Sequence, residues 1–302
     1  RQLMLAPELL AAMASGCWAV GALFSANASN SMGAFAFTRW RLFFAMCMLW
    51  MAAFYVGRWP ELTLENIAWL SVSSWVGILV GDTALFVCMN RLGPRRSGVL
   101  FATHALFSAL FAWLFLGETL WGMTLMGSGV LVSGVMVAIV WGRRGEETHA
   151  WENTQGTLWM GVAMGLLAAA GQAVATLMIK PLMSTGIDAV AASAVRATAS
   201  FVAHLLLLWA GLGLAKLANP LDWKTLLNTA LSAGISMVIG MTLILQALKT
   251  GQANLVAIFS SIAPVLLLPL LWAVYRRQPA AGAWWGGAMT VAGSAMIMSS
   301  KI

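Results

Sequence analysis

Charge is what this chain has least of. Of its 302 residues only 9% are Asp, Glu, Lys or Arg, while 61% are apolar. No soluble domain of this length sustains that balance. Catalytic signatures are missing as well. There is no GxxxxGK[ST] loop, which excludes ATP as the direct energy source, and there is no HExxH helix or GxSxG turn. The three cysteines, Cys17, Cys47 and Cys88, lie in different apolar segments without CxxC spacing, so neither a metal site nor a disulfide framework is supported. No cofactor is expected. A second carboxylate to divide acid and base roles with Asp82 is also lacking, so the chain is read as not an enzyme. The net charge of +7 would suggest nucleic acid in a soluble protein. Here the Lys and Arg residues are spread one to three per connection and read as topology and lipid-headgroup residues. Membrane lipid is the expected partner; nucleic acid is not.

What is present is apolar length. Ten segments, starting near Leu9, Ala34, Ile67, Ser97, Met123, Leu158, Ala189, Leu226, Leu255 and Ala280, approach the ~20 residues that a helix needs to cross hydrocarbon. The expected fold is therefore all-α and integral to the membrane. Pro7, Pro60, Pro94, Pro181, Pro220 and Pro279 fall near the joints of this scheme, and only Pro264 and Pro269 lie inside a segment. The first segment follows Pro7 and Glu8 without a basic n-region or cleavage site, so it is expected to be retained.

The stretch from Gly77 to Gly134 is written twice. Gly77 aligns with Ser236, Gly81 with Gly240 and Thr83 with Thr242; after a one-residue gap Gly93 aligns with Gly251 and Phe101 with Phe259; Gly127 then aligns with Gly286 and Gly134 with Gly293. A period of this length points to a duplicated half, not a solenoid. The long polar run at 142–156 falls between the copies and reads as a linker, leaving five-helix halves at 1–141 and 157–302. An odd count forces the second half to enter from the opposite side. Two inverted five-helix repeats around a central cavity follow, with a substrate site near the midplane and alternating access by rocking. Equivalent small-residue faces at Gly77/Gly81 and Ser236/Gly240, and at Gly127, Gly129, Ser133 and Gly286, Ala288, Ala292, suit close helix approach.

Sidedness stays open in the sequence. Alternate connections place five Lys and Arg residues on the side of the termini and nine on the other, which puts both termini outside by the positive-inside rule.

The ten segments, the five-plus-five duplication, an Arg early in the second helix of each half (Arg41, with Arg39, and Arg196), the LFLGE run at Leu114 to Glu118 and the proline-containing run at Ile262 to Leu270 together resemble the drug/metabolite transporter superfamily of EamA type. The resemblance covers nearly the whole chain and is closest to the YddG-type exporters of aromatic and other neutral amino acids. It implies a ten-helix basket, efflux of small metabolites, a bacterial inner-membrane location and cytoplasmic termini, the last against the loop charges. Two features depart from it: Leu106 stands where the second copy has Pro264, and Arg276 where the first has Glu118.

Candidate site residues follow from polarity inside the spans. Asp82 is the one carboxylate deep in a segment, and it either faces a cavity or forms a structural ion pair with Arg41 or Arg91. Arg41 and Arg196, as equivalents, are expected on opposite sides of the molecule. His104 and His204 are relay candidates, though lone membrane histidines more often bond a neighbouring helix. Pro264 should break its helix and free carbonyls near Ser260 and Ser261. Gln172, Thr176 and Gln246 offer uncharged partners to the ends of a zwitterion. Trp18, Trp75, Phe101 and Phe259 are candidate cavity aromatics, with lipid contact or ordinary packing as the bland alternative. Gly77, Gly81 and Gly240 are read as structural. The leading function is a secondary exporter of small zwitterionic metabolites, aromatic and other neutral amino acids above all. An embedded lipid-handling protein or enzyme, a transporter of another metabolite or drug class, and a channel are the alternatives. A channel filter needs a ring of repeated polar groups that is not evident. Nothing in the sequence requires an oligomer, so a monomer is expected.

Overall fold

The computed structural model describes residues 6–116, 122–141, 157–251, 253–276 and 278–299. The expected linker at 142–156 and the Glu118 of the LFLGE run lie outside these residues. Among the described residues every regular element is helical: α1 (Pro7–Met32), α2 (Ala34–Val56), α3 (Leu64–Ser74), α4 (Thr83–Phe101), α5 (His104–Leu116), α6 (Met123–Val140), α7 (Leu158–Ser184), α8 (Ala189–Trp209), α9 (Trp223–Ser232), α10 (Thr242–Thr250), α11 (Ala253–Ser260), α12 (Ala263–Tyr275) and α13 (Ala281–Ser299).

Six helical runs are apolar and long enough to cross a membrane: α1, α2, the continuous run Leu64–Phe101, α7, α8 and the continuous run Trp223–Thr250. Shorter apolar helices at Leu125–Ala138 and Ala263–Val274 accompany them. The protein is a multi-pass membrane protein. Leu64–Phe101, at 38 residues, is too long for one crossing at ~1.5 Å per residue. Its helical path is interrupted at Gly93, where φ is 81° and ψ 165°, a conformation an L side chain rarely adopts. Pro94 then has no N–H to leave unbonded, and Ser97 Oγ donates to the Pro94 carbonyl at 3.1 Å.

Two local devices occur once in each copy of the repeat. A π-helical stretch, Trp75–Asp82, joins α3 to α4, and another, Ala233–Met241, joins α9 to α10. A broken turn at Ala102–Thr103 separates α4 from α5, and one at Ser261–Ile262 separates α11 from α12. The second break was expected from Pro264, whereas the first, without a proline, was not. In the first, the Thr103 hydroxyl donates to the Leu100 carbonyl at 2.6 Å and thereby closes its own turn. In the second, Ser15 of α1 donates from its hydroxyl to the carbonyls of Phe259 and Ser260, both at 2.8 Å. Those are the carbonyls the broken helix leaves over.

Packing between copies is reciprocal. α1 lies against α9, the second π stretch and α10, while α7 lies against α3, the first π stretch and α4; α2 meets α8 and α6 meets α13. Small residues make the crossings possible. A Cβ at Gly171 of α7 would come within 2.9 Å of the Val76 carbonyl, and one at Gly21 of α1 would overlap Ser236. Gly77 faces Ala175, Gly81 lies beside the Ala168 carbonyl, and Gly240 lies against the Trp18 indole. Along α6 and α13, a Cβ at Gly134 would sit 2.8 Å from the Gly286 carbonyl and one at Gly127 2.8 Å from that of Gly293. Backbones touch there directly. Gly129, read from its spacing as part of this face, has open space around it.

Candidate functional site

The copies enclose a cavity of about 100 Å³. α1 contributes Trp18 and Ser25, α2 Arg41, the first π stretch Asp82, and α4 Phe86 and Phe101. The broken turns supply Ala102, His104, Ser260, Ser261 and Pro264, and α7 supplies Gln172. Most of the wall is apolar: Leu85, Met89, Met237, Met241 and Leu267 fill it between the polar groups.

The central polar contact is an ion pair. Arg41 Nη1 donates to Asp82 Oδ2 at 3.1 Å, with the two side chains 8% and 14% exposed. The guanidinium carbon stands 5.0 Å from the centre of the Phe86 ring, a cation–π arrangement that orients the fork. Arg196 also interacts electrostatically with Asp82, and its Nη1 donates to Ser73 Oγ at 2.9 Å. Arg41 and Arg196 are therefore not on opposite sides. α2 and α8 pack against each other, which brings both arginines to the same carboxylate.

Of the residues singled out from sequence, Trp18, Asp82, Phe101, His104, Gln172, Ser260 and Pro264 come together around the cavity. Trp18 and Phe101 meet edge to face at 6.4 Å, and Phe101 meets the His104 ring at 5.8 Å. Five others stand elsewhere. Trp75 is 45% exposed and donates from its indole to the Ala199 carbonyl at 3.2 Å. Thr176 is half-buried outside the cavity lining, and Phe259 packs into the core while offering only its carbonyl to Ser15. Gln246 is exposed on the last turns of α10. Met241, at the end of the π stretch, lines the cavity, and the five regular helical residues that follow turn Gln246 about 140° away from it. His204 is wholly buried outside the cavity, its Nε2 3.2 Å from the Thr83 hydroxyl.

Residues that the sequence treated as topology or passed over also line the space. Arg41 is the chief one, with Ser25, Ser236, Phe86 and Gly98. Charge at depth in a span, Asp82 in the first π stretch and Arg39 and Arg41 on α2, was the available signal. Serines in membrane helices carry no such flag, because they commonly bond their own turn, as Ser25 does to the Gly21 carbonyl at 2.7 Å.

Comparison with known proteins agrees with this architecture. The sequence profile described as the EamA-like transporter family matches twice, over residues 5–140 and 159–299. A crystal structure described only as that of a protein is similar at 19% identity with a TM-score of 0.66, covering 96% of this chain and 95% of that one. At that identity the likeness concerns the fold alone. No curated protein matches the sequence. The two profile matches together span nearly the whole chain, which belongs to the EamA-like transporter family of the drug/metabolite transporter superfamily, and is thus a membrane transporter and not an enzyme.

Proposed function

We propose that the protein exports small zwitterionic metabolites, aromatic and other neutral amino acids first among them, by alternating access across a bacterial inner membrane. The observation that carries this is the cavity itself. It joins the only described carboxylate–guanidinium pair of its lining to an amide, hydroxyls and aromatic rings, in a small, largely apolar space at the meeting of two broken helices. A zwitterion with an apolar side chain matches that inventory of partners.

In this reading the chain crosses the membrane ten times. The crossings are α1, α2, α3 through α4 to Gly93, Pro94 through α5, and α6, then α7, α8, α9 through α10, α11 through α12, and α13. Two inverted halves, 1–141 and 157–302, are joined at 142–156. The doubled profile match, the paired π stretches and broken turns and the reciprocal contacts support a two-fold relation between halves. The α6–α13 seam, backbone on backbone, serves as the stiff joint, and the broken turns serve as the places where helices bend to open either side. Uptake of labelled amino acids into proteoliposomes, with and without a pH gradient, tests the reading. Saturable transport of phenylalanine or another neutral amino acid is expected. Absence of transport for every amino acid under both conditions would overturn it.

A further inference from the structure

We infer that the cavity recognises its substrate by the carboxylate, taken on the free edge of Arg41, and that the ammonium is dispensable. This rests on the reading that substrates cross through this cavity.

The geometry supplies the first argument. Arg41 reaches Asp82 through Nη1 alone, at 3.1 Å. Its Nε is buried without an acceptor, although the whole residue is only 6% exposed and lines the cavity. A guanidinium offers carboxylates two parallel forks. Asp82 occupies an end nitrogen of one, and the edge that includes Nε–H is left for another planar acceptor. The Phe86 ring beneath the guanidinium holds that edge in place. A buried donor without an acceptor costs free energy whenever the site is empty, so a ligand that supplies the acceptor gains that amount on binding.

Charge balance supplies the second. Arg39, Arg41 and Arg196 are all buried on α2 and α8, and Asp82 is the carboxylate among them. Arg39 has the Ala215 carbonyl at 2.7 Å and Arg196 the Ser73 hydroxyl at 2.9 Å, neutral partners, so the one carboxylate Asp82 is set against three guanidinium groups. Positive charge exceeds negative around this space, and in a low-dielectric interior such an excess favours an anion and disfavours a further cation. The one acid is already engaged by Arg41 and feels Arg196 as well, so no carboxylate stands free for an ammonium. One open fork in a small apolar space fits a monocarboxylate bearing an apolar body; a dicarboxylate or phosphate would bring a second charge with no second fork.

Binding to purified protein of phenylalanine, 3-phenylpropionate and phenethylamine separates the two ends of the ligand. Phenylalanine and 3-phenylpropionate are expected to bind within roughly 10-fold of each other, and phenethylamine at least about 100-fold more weakly, the loss of a charge-assisted paired contact. Replacing both members of the ion pair, Arg41→Gln with Asp82→Asn, removes the charges together and so avoids stranding either; in the folded double variant the carboxylate preference should vanish. Phenethylamine binding as tightly as phenylalanine would overturn the inference while leaving amino-acid export standing. Binding of 3-phenylpropionate without phenylalanine would uphold it and overturn export of amino acids. A folded double variant that keeps the preference also refutes the role of Arg41, and no binding by any of the three refutes both readings. If the double variant does not fold, the comparison of the three ligands on the unaltered protein decides.

Discussion

The two copies of the repeat share their backbone devices and divide their chemistry. Each has a π stretch ahead of its glycine-marked end, a broken turn, and a capped helix start at the same register: Thr63 accepts from Asn66 N–H at 3.2 Å at the head of α3, and Asp222 from Thr225 N–H at 3.1 Å at the head of α9. Yet the first π stretch ends in Asp82 and the second in Met241. The first broken turn closes on its own Thr103, while the second is held from α1 by Ser15. Duplication kept what lets helices bend and cross, and a buried arginine in each half, while the carboxylate that pairs with one of them resides in one copy only.

Four measurements would break or sharpen this comparison. The largest effect is expected from copying the second half into the first at the charged position. Asp82→Met strands Arg41 and Arg196 and should lower stability by about 3–5 kcal/mol, with most of the loss restored by adding Arg41→Met. Tryptophan-fluorescence unfolding in detergent reads it, and an Asp82→Met protein as stable as its parent would mean that the ion pair contributes nothing to the fold. Next comes the seam, where the copies should behave alike. Gly134→Val and Gly286→Val each drive a branched side chain into the facing backbone and should cost roughly 3 kcal/mol apiece, whereas Gly129→Ala, with open space around it, should be neutral or slightly stabilising. Clearly unequal losses at Gly134 and Gly286 would argue that the seam is not shared evenly.

The broken turns should separate by a smaller amount. Ser15→Ala removes the one hydroxyl donor that two buried carbonyls share and should cost about 2 kcal/mol, against about 1 kcal/mol for Thr103→Val, which loses one local bond. Equal costs would remove the asymmetry between the turns. The smallest effect concerns the caps. A hydrogen bond from the Thr225 side chain, joined by one from its backbone N–H, holds the Asp222 carboxyl below the usual carboxylate range. Its folded value being depressed, its contribution is present above the unfolded value of about 4 and is lost as pH falls through the lower folded value. Amide exchange at Thr225 should therefore quicken, relative to the ordinary pH dependence, on acidification below about pH 4, while Asn66, capped by the neutral Thr63, shows no such excess. Parallel behaviour of the two amides would contradict the assignment.

Much of the fold was legible in the sequence because the lipid enforces it. A helix must satisfy its own backbone in hydrocarbon, so apolar length alone placed helix starts at Ala34, Met123, Leu158 and Ala189, where they are found. Glycine spacing marked the close crossings for the related reason that only a missing Cβ lets backbones touch. Where reading failed, phase or an absent marker was responsible. Gln246 lies about 140° of helical rotation beyond the cavity-lining Met241, on another side of α10. The break at Ala102–Thr103 carries no proline; a threonine hydroxyl closes it. Arg41 reads as a topology residue and as one of two partners open to Asp82, and nothing in the linear order favours it over Arg91, because Asp82 lies 41 positions on.

The amino-acid sequence alone determined that this protein lives in a membrane, that it is helical, and that its plan is duplicated, because solvent and backbone hydrogen bonding leave an apolar chain few other states. Only the tertiary structure decided which copy's side chains face the common space. Rotation of a helix about its axis is set by the neighbours it packs against, and no period in the sequence records which of them it will meet.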